Sequence, residues 1–204
     1  LCCCFVRDLG VVLDSSLSFA SHLDNITSVA TRKLGLISRM TRGFSHPSCF
    51  FYLYFSLVLP HLEFASSCWN PITLTHSGLI ERVQRQFIST FYDRYIGIST
   101  YYDHHHLLRK LGMVTLSCRR LCRDFIFLHK LVRSQIDCPD FLSSISFNVP
   151  PKSVRCYPSF YVTMHHKLSP LLRILVHFNN FSRNHNTDIF AHTQMFLSSL
   201  RDAT

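Results

Sequence analysis

Residues 116–133 read LSCRRLCRDFIFLHKLVR, the clearest helical pattern in the chain. Plotted on a helix at about 100° per residue, the main apolar positions fall in one narrow arc, and these are Leu121, Phe125, Leu128 and Val132. Four cations fall in an arc on the opposite side, namely Arg119, Arg123, Lys130 and Arg133. At a rise of about 1.5 Å per residue, that row of cations spans about 20 Å. The stretch therefore predicts a helix with one buried face and one basic face.

The same spacing of apolar residues recurs along the chain and predicts a mainly α fold. Further helices are expected at about 18–40, 47–59, 77–91, 103–111 and 170–178. Residues 2–13 have the pattern of a strand, and we expect Pro60 to end or kink the second helix. After residue 143 the pattern weakens, so the prediction is a helical bundle with a short N-terminal β element and an irregular C-terminal extension.

Composition excludes several classes of protein. The chain has 204 residues, of which 47% are hydrophobic and 16% charged, so it is not a disordered or collagen-like chain. No signal peptide is recognisable, and the apolar run at 50–60 is too short to span a membrane. Nine cysteines without a secretory signal favour reduced thiols, which predicts an intracellular protein, cytoplasmic or nuclear. The start at Leu1, inside a strand-like pattern, suggests a fragment of a longer protein.

The net charge of +9 is concentrated in the middle of the chain. Residues 71–135 carry +6 of it, and the row on residues 116–133 is the largest contributor. Arg82 and Arg85 form a smaller outward pair on the preceding helix, and Arg32 belongs to a third row on the first helix. A patch of one sign points to a nucleic acid or an acidic protein rather than a membrane.

A simple solvated face is the alternative interpretation, because exposed rows of Lys and Arg often only keep a protein in solution. Solvated faces usually mix signs, however, and Asp124 is the single acid between residues 115 and 133. That imbalance favours contacts with a phosphate backbone, which would be insensitive to base sequence and sensitive to salt.

No catalytic constellation is recognisable, and we expect neither a metal nor another cofactor. The sequence lacks a phosphate-binding glycine loop, a zinc-protease helix motif, a nucleophile elbow and an adjacent pair of aspartates. Cys118, Cys122 and the histidines at 104–106 could be imagined as zinc ligands, but zinc prefers two compact ligand pairs. Buried thiols and solvated or half-buried histidines are the simpler interpretation.

Several segments, in order, resemble the region after the palm in reverse transcriptases of non-LTR (LINE-type, jockey-like) retrotransposons. The matching segments are Val6-Arg7-Asp8-Leu9-Gly10-Val11-Val12-Leu13-Asp14, Arg32-Lys33-Leu34-Gly35-Leu36-Ile37, Ser56-Leu57-Val58-Leu59-Pro60, Trp69-Asn70-Pro71, Ile80-Glu81-Arg82-Val83-Gln84-Arg85-Gln86-Phe87, Ile136-Asp137-Cys138-Pro139 and Ser169-Pro170-Leu171-Leu172-Arg173. Each segment is short, and their shared order over almost the whole chain carries the resemblance.

The resemblance implies a role for each region. Residues 1–14 would be the end of the palm, with Leu9, Gly10 and Val11 in a primer-grip-like strand. Residues 15–135 would be the helical thumb and 136–204 a C-terminal extension. The chain would bind RNA or an RNA–DNA duplex and the missing upstream palm. It would not be an enzyme on its own, because the family's catalytic aspartates, which use Mg²⁺, lie in that palm.

Two other functions stay open at this point. The chain could be a helical protein–protein interaction module whose basic face meets an acidic partner. It could also be an inactive retroelement relic that has kept its hydrophobic pattern and therefore its fold.

Overall fold

Helices make up most of the protein in this computed structural model, which confirms the predicted mainly α fold. The structure describes residues 5–70, 73–97, 104–149, 157–162, 169–185 and 187–202. The chain divides into two compact units, Leu1–Arg119 (unit 1) and Arg120–Thr204 (unit 2). Each unit buries an apolar core of its own.

Unit 1 begins with a β-hairpin, in which β1 (Phe5–Asp8) pairs antiparallel with β2 (Val11–Asp14). Leu9 and Gly10 alone connect the strands, with φ of 43° and 89°. Two consecutive positive φ values are typical of the tight turns that match the twist of paired strands. The prediction of strand at Leu9 and Gly10 is therefore wrong, because an apolar run does not reveal a two-residue reversal. Residues 2–4 of that predicted strand lie outside the described residues.

Asp14 ends the hairpin and organises the start of the first long helix. Its carboxylate accepts hydrogen bonds from the backbone N–H groups of Ser16, Ser18 and Phe19 and from both serine hydroxyls. These bonds hold the pKa of Asp14 well below its usual range, and the bond from the Ser16 hydroxyl has the largest effect. The turn predicted at residues 14–16 is thus present, but the predicted cap is not, because the N-cap residue of α1 (Ala20–Met40) is Phe19 and no side chain caps the helix.

Helix α1 buries the face that the sequence predicted. Five of its predicted apolar positions, counting the residue that precedes it, are buried: Phe19, Leu23, Ala30, Leu34 and Ile37. Ile26 is half-buried against the same core. The spacing of three and four residues was sufficient here because the helix is long and one-sided.

The apolar stretch after α1 changes helix type before its proline. Helix α2 covers Ser48–Leu53, a π-helical turn covers Tyr54–Val58, and α3 covers Leu59–Glu63. Pro60 cannot donate a hydrogen bond and would clash with a carbonyl of the preceding turn of a regular α-helix. With the π-helical turn directly before it, the chain passes Pro60 in a helical conformation and leaves the helix only after Glu63.

Three more helices complete the part of unit 1 that precedes α7, and they are α4 (Ser66–Trp69), α5 (Leu74–Tyr95) and α6 (His104–Lys110). Helix α5 begins three residues earlier than predicted, where the hydroxyl of Thr73 accepts a hydrogen bond from the His76 N–H. The aromatic ring of Phe87 on α5 stacks on that of Tyr54, with ring centroids 3.9 Å apart. This stack lies at the centre of the unit 1 core.

Helix α7 (Leu116–Val132) begins in unit 1 and ends in unit 2. Unit 2 continues with α8 (Pro139–Ser143), a short hairpin of β3 (Ser146–Phe147) and β4 (Phe160–Tyr161), α9 (Pro170–His185) and α10 (Thr193–Asp202). Its core is rich in phenylalanine and includes Phe125, Phe160, Phe178 and Phe196.

The C-terminal region is more regular than the predicted irregular extension. Helix α9 continues past residue 178 to His185, and α10 was not predicted. The side chain of Asn179 on α9 accepts from the Phe160 N–H at 3.1 Å and donates to the Phe160 carbonyl at 2.8 Å. This pair of bonds fixes β4 to α9 although their sequences are far apart, so local periodicity could not predict it.

The predicted regions 1–14, 15–135 and 136–204 describe roles in a polymerase and stay a prediction. The two compact units divide the chain elsewhere, after Arg119 and within α7.

Candidate nucleic-acid interface

The predicted row of cations on α7 falls into two environments. Arg123, Lys130 and Arg133 are exposed in unit 2. Arg119 is only partly exposed and belongs to unit 1. The row is therefore exposed over its three C-terminal members, and its first member has a partner within unit 1.

That partner of Arg119 is Glu63, whose side chain is 2% exposed. The Nε and Nη2 atoms of Arg119 both donate to the Glu63 carboxylate. A buried carboxylate needs a compensating charge, because transfer out of water disfavours its ionised form. Arg119 thus neutralises a carboxylate of the unit 1 core, which leaves less of its charge for a phosphate.

Glu81, missed as a functional residue by the sequence analysis, holds the start of α7. Its carboxylate accepts hydrogen bonds from the N–H groups of Leu116 and Ser117, at 3.3 and 2.6 Å. A carboxylate at a helix N-terminus satisfies free N–H groups and complements the helix dipole. One turn further along α5, the side-chain amide of the buried Gln84 donates to the Val114 carbonyl at 3.0 Å. Together these bonds dock the beginning of α7 on α5.

Asp124, the single acid between residues 115 and 133, is buried. Its side chain lies in the interior of unit 2, as does that of Arg120. Charged side chains are usually solvated, so the burial of these two could not be predicted from the sequence. The exposed charged residues of α7 in unit 2 are consequently all cations.

Lys130 and Arg133, near the C-terminal end of this row, are both exposed. The Nη1 of Arg133 donates to the Phe190 carbonyl at 3.1 Å. One edge of the Arg133 guanidinium is therefore held in place, and the remaining donors face outward for another acceptor.

A groove between α1 and α5 joins two of the predicted basic rows. Arg82 of α5 and Arg32 of α1 line the same cavity, whose volume is about 330 Å³. Its other polar lining residues are Asp24, Thr27, Ser28, Thr31 and Gln86. The sequence placed the two arginines on separate helices 50 residues apart and could not show that they meet. Arg85 is exposed on the same helix as Arg82.

The hydroxyl groups near these arginines are partly occupied within α1. Thr27 and Thr31 each donate to a carbonyl one turn earlier, at 2.7 and 2.8 Å. Their oxygens can still accept, and the amide of Gln86 can donate. The groove therefore offers two guanidinium groups, an amide and a single carboxylate, Asp24, a balance that suits an anion.

The predicted primer-grip-like residues form the tip of the β-hairpin. Leu9 is 87% exposed at the turn, Gly10 follows it, and Val11 is buried as the first residue of β2. The structure thus presents one large apolar side chain at the tip and uses Val11 to anchor the hairpin to the core.

The structure gives no support to a metal site in its described part. No group of three or more His, Cys, Asp or Glu side chains among the described residues could hold a metal ion. In the same part of the chain, no helix has both the length and the apolar character needed to cross a membrane.

The fold and these surfaces define a mainly α protein with exposed basic helix faces. The chain is similar to an uncharacterized protein of Caenorhabditis elegans, with 24% identity over 155 residues that cover 76% of each chain. No protein-family profile and no solved structure matches it. The resemblance to LINE-type reverse transcriptases therefore stays a prediction.

Proposed function

We propose that the chain is similar to the thumb and following region of a LINE-type reverse transcriptase and binds a template–primer duplex through its phosphates. Two things support this role, the ordered sequence segments and the exposure of most predicted cations. Catalysis in such a polymerase belongs to palm carboxylates that hold Mg²⁺. The role proposed for this chain is binding, without DNA synthesis on its own.

The observation that carries the proposal is the groove between α1 and α5. Arg32 and Arg82 come from different helices, and their charges converge on one cavity instead of pointing away from each other. Converging cations lined with hydroxyl and amide groups are typical of contacts to a nucleic acid backbone. A merely solvated face does not need such convergence.

The exposed end of α7 supplies the second basic surface. Arg123 and Lys130 lie two turns apart on α7 and Arg133 directly follows the helix, so their charges are spaced along one direction, as are those of a phosphate backbone. Each contact would release counterions, so the binding would weaken steeply with salt and depend little on base sequence.

Binding of an RNA–DNA duplex measured against salt concentration tests this proposal. The exposed cations assigned to binding are Arg32, Arg82, Arg85, Arg123, Lys130 and Arg133. If all six contact phosphates, the slope of log affinity against log salt is about −5.4, at about −0.9 per contact on B-form DNA. The variant R123Q/K130Q/R133Q should flatten the slope by about 3, and R32Q/R82Q should flatten it by about 2 if both arginines contact phosphates.

A matched control removes three charges from other exposed positions. The variant R109Q/K110Q/R183Q has the same net charge as R123Q/K130Q/R133Q, but its changes lie on α6 and α9. It should leave the slope within about one contact of the parent protein. Equal losses in the two triple variants would show a net-charge effect and contradict a defined binding surface. A slope near zero for the parent protein would contradict binding of the duplex through its phosphates.

A protein partner is the second candidate, and the exposed apolar residues of unit 1 favour it. Leu36 and Met40 lie one turn apart on α1 and are exposed, and Tyr52 on α2 is 73% exposed. Exposed apolar groups of this size often mark protein interfaces. Competition distinguishes the two candidates. If an acidic protein displaces the bound duplex and other nucleic acids do not, the result favours the protein partner.

A further inference from the structure

A second cavity in unit 1 lies beneath the β-hairpin and is separate from the basic faces described above. Its volume is about 270 Å³, and residues of the hairpin, α1 and α3 line it together with Phe64, which follows α3. Four of the lining side chains are polar, and they are Arg7, His22, Asn25 and His61. Ile26, Val29 and Phe64 provide an apolar wall. None of the cations assigned to the duplex-binding surfaces lines this cavity.

His22 supplies a buried hydrogen-bond donor without an acceptor. Its side chain is 2% exposed, and its Nδ1 accepts a hydrogen bond from the Val12 N–H at 3.3 Å. The neutral ring therefore carries its proton on Nε2. That Nε2 is buried and has no hydrogen-bond partner among the described residues. An unsatisfied buried donor is unfavourable and is usually explained by an unobserved water or ligand.

His61 has the opposite tautomer for a similar reason. The ammonium group of Lys33 is hydrogen-bonded to Nε2 of His61, so the neutral ring has its proton on Nδ1. Burial, followed by the charge of Lys33, lowers the pKa of His61. Burial, followed by the charge of Arg7, lowers the pKa of His22. Both rings are thus neutral donors that face additional positive charge.

Among the described residues that line the cavity, none is a carboxylate that could balance these charges. Arg7 contributes a guanidinium, Asn25 an amide, and the two histidines their N–H groups, and the other described lining groups are apolar side chains and Gly10. An excess of converging donors over acceptors is the chemistry of an anion site. The adjacent apolar wall adds a surface for a planar or aliphatic group joined to the anion.

From this arrangement we infer that the cavity beneath the hairpin binds a phosphate monoester of nucleotide size. The phosphate group lies against Arg7, Asn25 and the ring of His22, and the organic part lies against Phe64 and Ile26. Such a ligand would lie beside the ring whose Nε2 has no partner among the described residues. The phosphate could belong to a free mononucleotide or to the end of a nucleic acid strand, since both present the same dianionic group.

Adenosine 5′-monophosphate, inorganic phosphate and adenosine are the probes for this site, at constant ionic strength in the full chain. The histidine ring signals in NMR spectra and the affinity from calorimetry are the two readouts. We expect adenosine monophosphate to bind most tightly and to shift the signals of His22 and His61, because both groups of the probe then find a partner. Absence of any shift with both phosphate-containing probes at millimolar concentration would overturn the inference.

The variant N25D is the sharpest test, because it changes an amide into a carboxylate of the same shape. A carboxylate within the cationic cavity should weaken the binding of adenosine monophosphate by at least about tenfold. The same charge should raise the melting temperature, since it replaces the missing anion. Unchanged affinity in N25D would contradict the site. The control N148D makes the same chemical change on unit 2 and should leave both quantities unaltered.

Arg7 provides an independent variant, and oligonucleotides identify the source of the phosphate. The variant R7Q should weaken binding by at least about tenfold, while R42Q, an exposed arginine outside the cavity, should not. A 5′-phosphorylated oligonucleotide that shifts the His22 signal more than its 5′-hydroxyl counterpart assigns the site to a strand end. If the two oligonucleotides shift the His22 signal equally and only slightly, and adenosine monophosphate shifts it more, the site binds a free nucleotide. The variant R123Q/K130Q/R133Q leaves this cavity intact. Loss of duplex binding in that variant therefore tests the proposed function, and binding of adenosine monophosphate tests the cavity separately.

Discussion

Leu9 has a backbone conformation that L-amino acids with a branched side chain rarely adopt. Its φ of 43° is left-handed, and its side chain is 87% exposed and therefore receives little compensation from packing. A large exposed apolar residue in an unfavourable conformation is the kind of residue that is retained for contact with a partner. Leu9 therefore lowers the stability of the hairpin, and contact with a binding partner would account for a leucine at this position.

Replacement of Leu9 by asparagine should stabilise the protein and weaken its binding. Asn-Gly is the preferred sequence of this turn, so L9N should raise the free energy of unfolding by about 1 kcal/mol. Fluorescence of the single tryptophan, Trp69, reports unfolding of unit 1 in urea because the side chain is buried there. If Leu9 contacts a duplex as proposed, affinity for RNA–DNA falls in the same variant. A less stable L9N would contradict the strain argument.

Asp14 makes the stability of the hairpin and α1 sensitive to acid. Its pKa is lowered in the folded protein, so its contribution is complete above the usual pKa of an aspartate and is lost as the pH falls through the folded value. At neutral pH, D14A should reduce the free energy of unfolding by about 1 kcal/mol through loss of the hydrogen bonds to Ser16, Ser18 and Phe19. The difference from the parent protein should shrink as the pH falls below about 4.

Urea unfolding at several pH values, followed by Trp69 fluorescence, measures this difference. The control D24A removes an exposed aspartate from the first turns of α1 that does not cap the helix. A D14A deficit that is constant between neutral and acidic pH would argue against a role for the ionised carboxylate.

At the scale of elements, the start of α7 is fixed by carboxylates from two other helices. Glu63 of α3 binds Arg119, and Glu81 of α5 accepts from the first N–H groups of α7. The basic row predicted from residues 116–133 consequently begins at a docked arginine and is exposed only beyond Arg119. Periodicity located the helix but could not reveal which cation serves the fold.

Replacement of Arg119 should affect stability, whereas replacement of Lys130 should affect binding. In R119Q the buried Glu63 loses its charged partner, so the free energy of unfolding should fall by about 2 kcal/mol. The matched variant K130Q changes an exposed cation further along the same row and should cost less than about 0.5 kcal/mol. In duplex binding the order reverses, and only K130Q should flatten the salt dependence by about one contact. Urea unfolding and the salt titration measure the two effects, and equal stability losses would contradict the assigned roles.

The elements differ in how far their sequences predicted them. Helix α1 is long and one-sided, so its apolar spacing was enough to place its face and, within two residues, its bounds. Helix α10 was not predicted, because its buried Phe196 and Leu200 pack into the phenylalanine-rich core of unit 2, and this packing is not visible in the local sequence. The π-helical turn before Pro60 and the reversal at Leu9 and Gly10 are equally local geometries that an apolar pattern does not specify.

At the scale of the whole molecule, the chain contains two separate cores. Phe87 is buried in that of unit 1 and Phe178 in that of unit 2, and the clusters share no residue. A large-to-small change in a core destabilises through lost contacts and the resulting cavity, by about 3 to 5 kcal/mol for phenylalanine to alanine. We expect this loss to be confined mainly to the unit that contains the change.

Hydrogen exchange measured by mass spectrometry tests this expectation with a matched pair of variants. F87A should accelerate exchange in peptides from unit 1, and F178A should accelerate it in peptides from unit 2. Peptides from the unit that was not changed should keep most of their protection. Equal acceleration throughout the chain in both variants would show that the two units unfold as one.

The sequence by itself determined that the protein is mainly helical, which faces of its longest helices are buried, and that its positive charge lies mostly in the middle of the chain. These properties follow from periodicity and composition, which are local or additive. Only the tertiary structure decided which charges are available. It paired Arg119 with a buried Glu63, buried Asp124, brought Arg32 and Arg82 to one groove, and left the Nε2 of His22 without an acceptor in the part of the chain that the structure describes. Each of these outcomes depends on which distant residues meet, because burial and pairing set the energy of a charge.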